Sequence, residues 1–276
     1  MNAQEEKPLI VDFHTHTFPD KIAQRSVFHL SEIGHILPHR LGTLDALKDS
    51  MAECGINYSV VLPVATAPKQ EPTINRVSAD LNGKEHLFFA GAIHPDCADV
   101  PGTLDFIKES GLFGIKLHPD YQGVRFDDPR YVRIMAEAAQ RGLYIITHAG
   151  MDIAFRNDIH CTPDMVLRVL HELEGVIEDK LILANLGGFA LEEEVLEKLC
   201  GKPVWMDTAA VIHMRPAKCR AIIEKHGPEK ILFGSDSPWE HQRDFADRLV
   251  GFGFSKAETE AMLWRNAQTI LGTNLL

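Results

Sequence analysis

The sequence has no cysteine pair in CxxC spacing, no apolar run near the ~18 residues that a membrane span needs, and no excess of basic charge. Each absence narrows the field. Five cysteines are scattered as Cys54, Cys97, Cys161, Cys200 and Cys219. An odd, unclustered set argues against a disulfide framework or a thiolate metal knuckle and points to a reducing compartment. The opening stretch MNAQEEKPLI lacks the basic and apolar regions of a secretory leader, so the cytoplasm is the expected location. The net charge of −11 argues against a nucleic-acid backbone or an anionic membrane as the main partner. No basic stripe interleaved with aromatics offsets that balance. An acidic small substrate stays open, because the field of a metal ion can dominate a cleft.

No linker, low-complexity segment or internal repeat interrupts the chain, so residues 1–276 read as one domain. Its 276 residues, 45% hydrophobic and 24% charged, are enough to bury a full core without staples. A metal site in such a chain serves function before folding.

Eight short apolar or β-branched runs lie at Leu9–Thr17, Asn57–Ala65, Leu87–Pro95, Leu112–Pro119, Leu143–Gly150, Lys180–Gly188, Val204–Ala210 and Ile231–Trp239. Their continuous rather than alternating apolar character predicts parallel strands covered on both faces. Segments of helical period separate them, at Thr43–Cys54, Thr73–Asn82, Thr103–Glu109, Asp128–Arg141, Thr162–Leu173, Leu191–Leu199 and Ala217–His226. Eight rounds of strand and helix predict an α/β fold, a (β/α)8 TIM barrel, with extra C-terminal helices that include Lys256–Leu271. Residues 18–42 and 150–161 are enlarged connections after strands one and five. In a barrel both lie at the C-terminal mouth, as candidate lids or substrate loops.

The sharpest chemical signal is Asp12-Phe13-His14-Thr15-His16. Residues two apart share a face of a strand, so Asp12, His14 and His16 are expected to point one way. Two imidazoles one pleat apart can hold one metal ion. The bland alternative is a pair of histidines that merely ends a strand. His148 ends the fifth run and Asp236 the eighth, at the same mouth, and that convergence favours a metal site. Three histidines and one carboxylate suit one divalent ion, zinc first, with nickel, manganese or iron as alternatives.

The stretches VDFHTHTF, GIKLHP, ITHAG, LILANLGG and LFGSDSPW, with RNAQTIL near the C-terminus, span nearly the whole chain. In this order they resemble the amidohydrolase superfamily, in particular the amidohydrolase-related family of TIM-barrel metal-dependent hydrolases. The resemblance implies metal ligation by His14, His16, His148 and Asp236, with Asp236 also orienting and deprotonating the attacking water. It implies no particular substrate, because such families hold hydrolases of amides, esters and lactones as well as decarboxylases and hydratases.

Lys116 shares strand parity with His118, so both can face the mouth. Some relatives bridge two metals with a carboxylated lysine at this place; a lysine paired with Asp12 or Asp236 is the plainer alternative. The family's sixth strand typically ends in histidine, whereas Asn185 stands here. An amide cannot titrate and ligates metals poorly, which favours a single ion, yet it can polarise a carbonyl. Asp236, Asn185 and Lys116 are therefore the candidate catalytic residues. His118, His94, Arg156 and Trp239 are candidates for substrate binding, and Arg125 is a second candidate clamp for a carboxylate.

Three functions compete: metal-dependent hydrolysis of a small-molecule amide, ester or lactone; a metal-dependent decarboxylase or hydratase of an unsaturated or aromatic acid; and a barrel that binds a ligand without turnover. An arginine turned into the mouth would favour the second. The expected partner is a small molecule, with a homodimer left open.

Overall fold

Apolar runs buried on both faces must satisfy their backbone groups with one another, and parallel strands linked by helices do this. The computed structural model describes residues 8–276 and shows that arrangement. The strand segments are β1 (Val11–Thr15), β2 (Tyr58–Val61), β3 (Leu87–Phe89), β4 (Gly91–Ala92), β5 (Gly114–Leu117), β6 (Tyr144–Thr147), β7 (Leu181–Leu183), β8 (Trp205–Asp207) and β9 (Ile231–Leu232). All named pairings are parallel and follow chain order. β3 and β4 are one barrel strand interrupted at Ala90, whose N–H still donates to the Val61 carbonyl at 3.1 Å.

The ring closes between its first and last strands. Phe13 N–H donates to Phe233 O at 2.7 Å, Asp236 N–H to His14 O at 2.9 Å and His16 N–H to Ser237 O at 2.7 Å. Thr15 and Ser237 form a parallel bridge at the same seam. The eight predicted runs are thus eight strands of one ring, and each run extends past its strand because it also holds the residues of the mouth.

Local chemistry sets the helices that cover the ring. Thr43 caps the helix Leu44–Cys54 by accepting from Ala46 N–H at 3.1 Å, and Gly55, at φ +69°, ends it. Thr162 and Asp128 cap Pro163–Glu172 and Pro129–Gln140, both with proline in the first turn. The helix predicted from Thr103 starts earlier, at Val100, because Asp99 caps it through Gly102 N–H. Lys256–Leu271 is helical throughout, with a wider turn at 261–265. Among the described residues no helix is long and apolar enough to cross a membrane.

The enlarged connection 18–42 contains a helix, Asp20–Gly34, rather than loop alone. Only Ala23, Val27, Ser31 and Gly34 of it are buried, a narrow stripe one turn apart per step. Its ends are tied by Phe18 N–H to Gly42 O, and His39 and Arg40 N–H both bond to Pro238 O beside Asp236. A Cβ on Gly34 would stand 2.8 Å from Ile153 Cδ1, so the two enlarged connections touch. The second is pinned at its base, where Gly150 pairs with Cys161 and Phe189.

Candidate metal centre

A bulge in β1 decides which side chains reach the mouth. The register with β2 slips between Asp12 and Thr15, so the simple two-residue parity fails there. Asp12 does not join His14 and His16. Its carboxylate accepts from Ser235 Oγ at 2.5 Å, Ser235 N–H at 3.0 Å and Gln242 Nε2 at 2.7 Å. Phe13 instead packs edge-on against Phe113 from the fourth run, with ring centroids 5.4 Å apart. Asp12 is thus a fastener between strand eight and the helix Gln242–Gly251, not part of the site.

His14 and His16 are held by their Nδ1 atoms. His14 Nδ1 lies 2.7 Å from Asp207 Oδ2, and His16 Nδ1 lies 2.8 Å from the Leu62 carbonyl. Both partners only accept, so each Nδ1 carries the proton and donates. The two Nε2 atoms are then bare lone pairs, 3.1 Å apart. Asp236 Oδ1 sits 3.6 Å from His14 Nε2 and 3.2 Å from His16 Nε2. Three acceptors facing one another repel unless a cation lies among them. Zinc–ligand bonds of about 2.0–2.1 Å in a tetrahedron give edges of ~3.3–3.4 Å, and the three separations bracket that value. His14, His16 and Asp236 thus fit a divalent ion by geometry and by donor chemistry.

Asp236 is placed by backbone strain. Its φ of +65° is unusual for a residue with a side chain, and the bond from its N–H to His14 O holds it there. Gly234, two residues earlier, allows the close approach: a Cβ on it would stand 2.7 Å from His14 Cβ. Of the three donors, Asp236 is the open one. Its side chain keeps 36% of its accessible surface, against 4% for His14.

The electrostatics keep His14 and His148 neutral. Burial, then the charge of Lys116, pushes His14 down. The same two causes, in the same order, push His148 down to about 3. Burial alone would raise the Asp236 and Asp207 carboxyls, but the neighbouring histidines and Lys116 hold both below the usual carboxylate range. Lys116 is itself buried, which lowers it to about 8, and its Nζ lies 3.4 Å from His14 Nε2. It sits inside the donor group, and its pairing with Asp12 does not occur.

His148 lies beside this group and takes part in a different one. Its ring stacks on His118, with centroids 4.6 Å apart, and the two come together with Asp152. Asn185, at φ +60°, donates its amide to Ala149 O at 3.2 Å and stands 3.4 Å from His148 Nδ1. That amide is occupied in holding the strand-five end, rather than free for a substrate carbonyl. Its backbone N–H donates to Asp207 Oδ1.

The other candidates are dispersed. His94 Nδ1 accepts from Asp96 N–H at 3.1 Å within its own turn. Arg156 is exposed and bonds to Ile153 O, and Arg125 bonds to Asp158 and Ile159 O. Both arginines brace the loop 150–161. Trp239 is half-buried, its N–H on Asp236 O.

Sequence reasoning missed Asp207, which closes β8 and orients His14. An aspartate at the end of the apolar stretch Val204–Met206 was the available signal. It also missed Asp120 and Asp152, one beyond His118-Pro119 and one inside the flagged loop. Both are buried, and burial pushes both carboxyls up to about 6.

Comparison with known proteins agrees with this architecture. The amidohydrolase family model matches residues 11–273. No curated protein sequence matches the chain. Among solved structures it resembles 2,6-dihydroxybenzoate decarboxylase from Rhizobium, at 16% identity and TM-score 0.71, covering 96% of this chain and 99% of that one. It also resembles a dihydroxybenzoic acid decarboxylase from Polaromonas with bound manganese, at 15% identity and TM-score 0.68, covering 96% and 97%. A third is a probable 2-pyrone-4,6-dicarboxylic acid hydrolase from Acinetobacter baumannii, at 15% identity and TM-score 0.65, covering 96% and 99%. At these identities the solved structures establish the TIM-barrel fold alone. The family match covers almost the whole chain, which belongs to the amidohydrolase family.

Proposed function

We propose that this member of the amidohydrolase family is a metal-dependent hydrolase of a small-molecule amide, ester or lactone, with His14, His16 and Asp236 holding a divalent ion, zinc first. The observation that carries the reading is the asymmetry of the donor group: two imidazoles fixed by their Nδ1–H groups beside one carboxylate that is only half-buried. When bound, such an ion supplies Lewis acidity to an oxygen of substrate or water.

The remaining work falls to the protein. Asp207 and the Leu62 carbonyl fix the two imidazoles by their Nδ1–H groups. Asp236 Oδ1 is held against both rings, and the exposed part of its carboxylate can take a proton from an attacking water and return it to the leaving group. Lys116 adds positive charge to a pocket that gains negative charge in the transition state. The helix Asp20–Gly34 and the loop 150–161 meet at Gly34 and Ile153. Arg125 is already bonded to Asp158 and the Ile159 carbonyl, which favours hydrolysis over decarboxylation, while Arg156 lies exposed on the loop with only its Nε bonded, to Ile153 O.

The test is a panel of small amides, esters and lactones beside aromatic carboxylic acids, run on chelator-stripped chain reloaded with zinc or manganese. Metal-dependent hydrolysis, lowered about 10²–10⁴-fold in Asp236→Asn, is the expected result. Release of carbon dioxide from the acids without hydrolysis would assign a lyase. Metal retention with no turnover of either class would assign a binding barrel.

A further inference from the structure

The helix Asp20–Gly34 buries only the stripe Ala23, Val27, Ser31 and Gly34 and turns the rest of its surface outward. At about 100° per residue the outward side falls into three lines. Arg25 and Glu32 form the middle line. Lys21 and Phe28 lie along one flank, and Ile22, His29 and Ile33 along the other. All seven are exposed. Of the large hydrophobic side chains exposed among the described residues, Ile22, Phe28, Ile33, Leu37 and Leu41 all belong to this one connection. A crevice of about 450 Å³ runs along the helix, lined by Arg25, Ser26, Phe28, His29 and Glu32. Single exposed apolar residues are ordinary, whereas a cluster of them marks a contact surface.

The charges on this face are unused within the chain. In chain order, the first lysine or arginine held in an ion pair among the described residues is Arg40, with Glu53. Lys21, Arg25 and Glu32 have no such partner. Arg25 and Glu32 stand about 10 Å apart along the axis, too far to neutralise each other.

We infer that this face is the contact between two copies of the chain, joined about a twofold axis with their Asp20–Gly34 helices antiparallel. A twofold contact must be self-complementary: where one residue meets a second, the second meets the first. An axis passing close to Phe28 satisfies all three lines at once. Phe28 meets Phe28 of the second copy, Ile22 meets Ile33, and Arg25 meets Glu32, every pair centred within half a residue of the same point. Apolar flanks then cover each other, and opposite charges pair down the middle. A parallel arrangement would instead set arginine on arginine and glutamate on glutamate. The helix has 15 residues. At ~22 Å long it offers a few hundred Å² at most, below the ~800 Å² per partner of a standard interface. Leu37 and Leu41 extend the apolar surface beyond its end. The pair is therefore a reversible dimer, with a Kd on the order of micromolar.

The test needs no metal and no substrate, so its outcome is independent of the metal reading. Sedimentation velocity is run on the full-length chain from about 1 to 200 µM. The wild type should pass from monomer to dimer over that range, and Phe28→Glu should stay monomeric. Arg25→Glu and Glu32→Arg should each weaken the dimer about tenfold or more, because every substitution acts twice across a twofold. The double variant carrying Arg25→Glu and Glu32→Arg restores opposite charges at both contacts and should recover to within about threefold of the wild type. Circular dichroism checks that each variant is folded, as exposed positions allow. A wild type that is monomeric throughout would overturn the proposal. A folded Phe28→Glu that dimerises like the wild type would place the interface elsewhere and also overturn it. A double variant as weak as the single ones would overturn the antiparallel pairing. A monomeric wild type that binds phosphatidylcholine vesicles would assign the face to a lipid surface instead.

Discussion

Replacing Asp207 with asparagine changes one thing at the donor group. Asp207 Oδ1 accepts from Asn185 N–H and Ala209 N–H, each at 3.0 Å, and an asparagine oxygen can do the same. Oδ2, which accepts from His14 Nδ1 at 2.7 Å, becomes an NH₂ group. An NH₂ donates, so it favours the His14 tautomer with the proton moved to Nε2, where it points at His16 and Asp236. Loss of a charge-assisted bond of this kind is worth about 1.5–3 kcal/mol. Removing the carboxylate behind a metal-binding histidine lowers affinity about 10–100-fold, or roughly 1.4–2.7 kcal/mol, so the two routes agree in size. Zinc competition against a chromophoric chelator, with urea unfolding of the stripped protein alongside, reads affinity and stability separately. The expected result is the tenfold or greater loss of metal affinity with the protein still folded. Asp207 is held below the usual carboxylate range, so its ionised form helps the fold above about pH 4 and that help fades as pH falls below it. The variant should therefore differ least from wild type in strong acid. Affinity within twofold of wild type at neutral pH would refute the claim that Asp207 sets the His14 tautomer.

Three further predictions follow from the same geometry. Gly234→Ala should cost about 1–3 kcal/mol of stability and weaken metal binding, because its Cβ meets His14 Cβ at 2.7 Å. Gly55→Ala, with nothing within 4 Å but φ +69°, should cost about 1 kcal/mol and leave metal binding unchanged; equal metal affinity in the two variants would sink the comparison. Burial, opposed by bonds from Ser235 and Gln242, raises Asp12 to about 6, so the folded state prefers its protonated form. Its stabilising effect is complete below about pH 4 and is lost as pH rises toward 6, by about 3 kcal/mol; urea midpoints of wild type and Asp12→Asn that keep a constant gap from pH 4 to 7 would contradict this. Chelator should leave the circular dichroism spectrum of the chain intact, since the apolar core excludes the metal donors; unfolding on chelation would show the ion to be structural.

The parts of this site that sequence made legible share one property: they lie where strand runs end. His14, His16 and Asp236 follow from that rule, because a barrel gathers its strand ends at one mouth. Asp12 escaped it because a bulge is a backbone event with no residue signature in β1. His148 ends its strand at the same mouth, where its ring stacks on His118. Asp207, Asp120 and Asp152 were hidden for another reason. A buried carboxylate is recognised by the imidazole behind which it stands, and Asp207 and His14 are 193 residues apart. The helix Asp20–Gly34 was hidden because its buried stripe is small residues, with Ile22, Phe28 and Ile33 left exposed.

The seam that closes the ring also sets a timetable. Asp12 and Ser235 meet across 223 residues of chain, and the first donor group straddles the same junction. During synthesis the histidine pair leaves the ribosome early and waits for the last strand before a carboxylate joins it. Until then the pair offers two of the three donors. On the metal reading proposed above, the donor group is complete only when the last strand closes the ring. A chain cut short before Asp236 would lack not just a strand but the capacity to be charged.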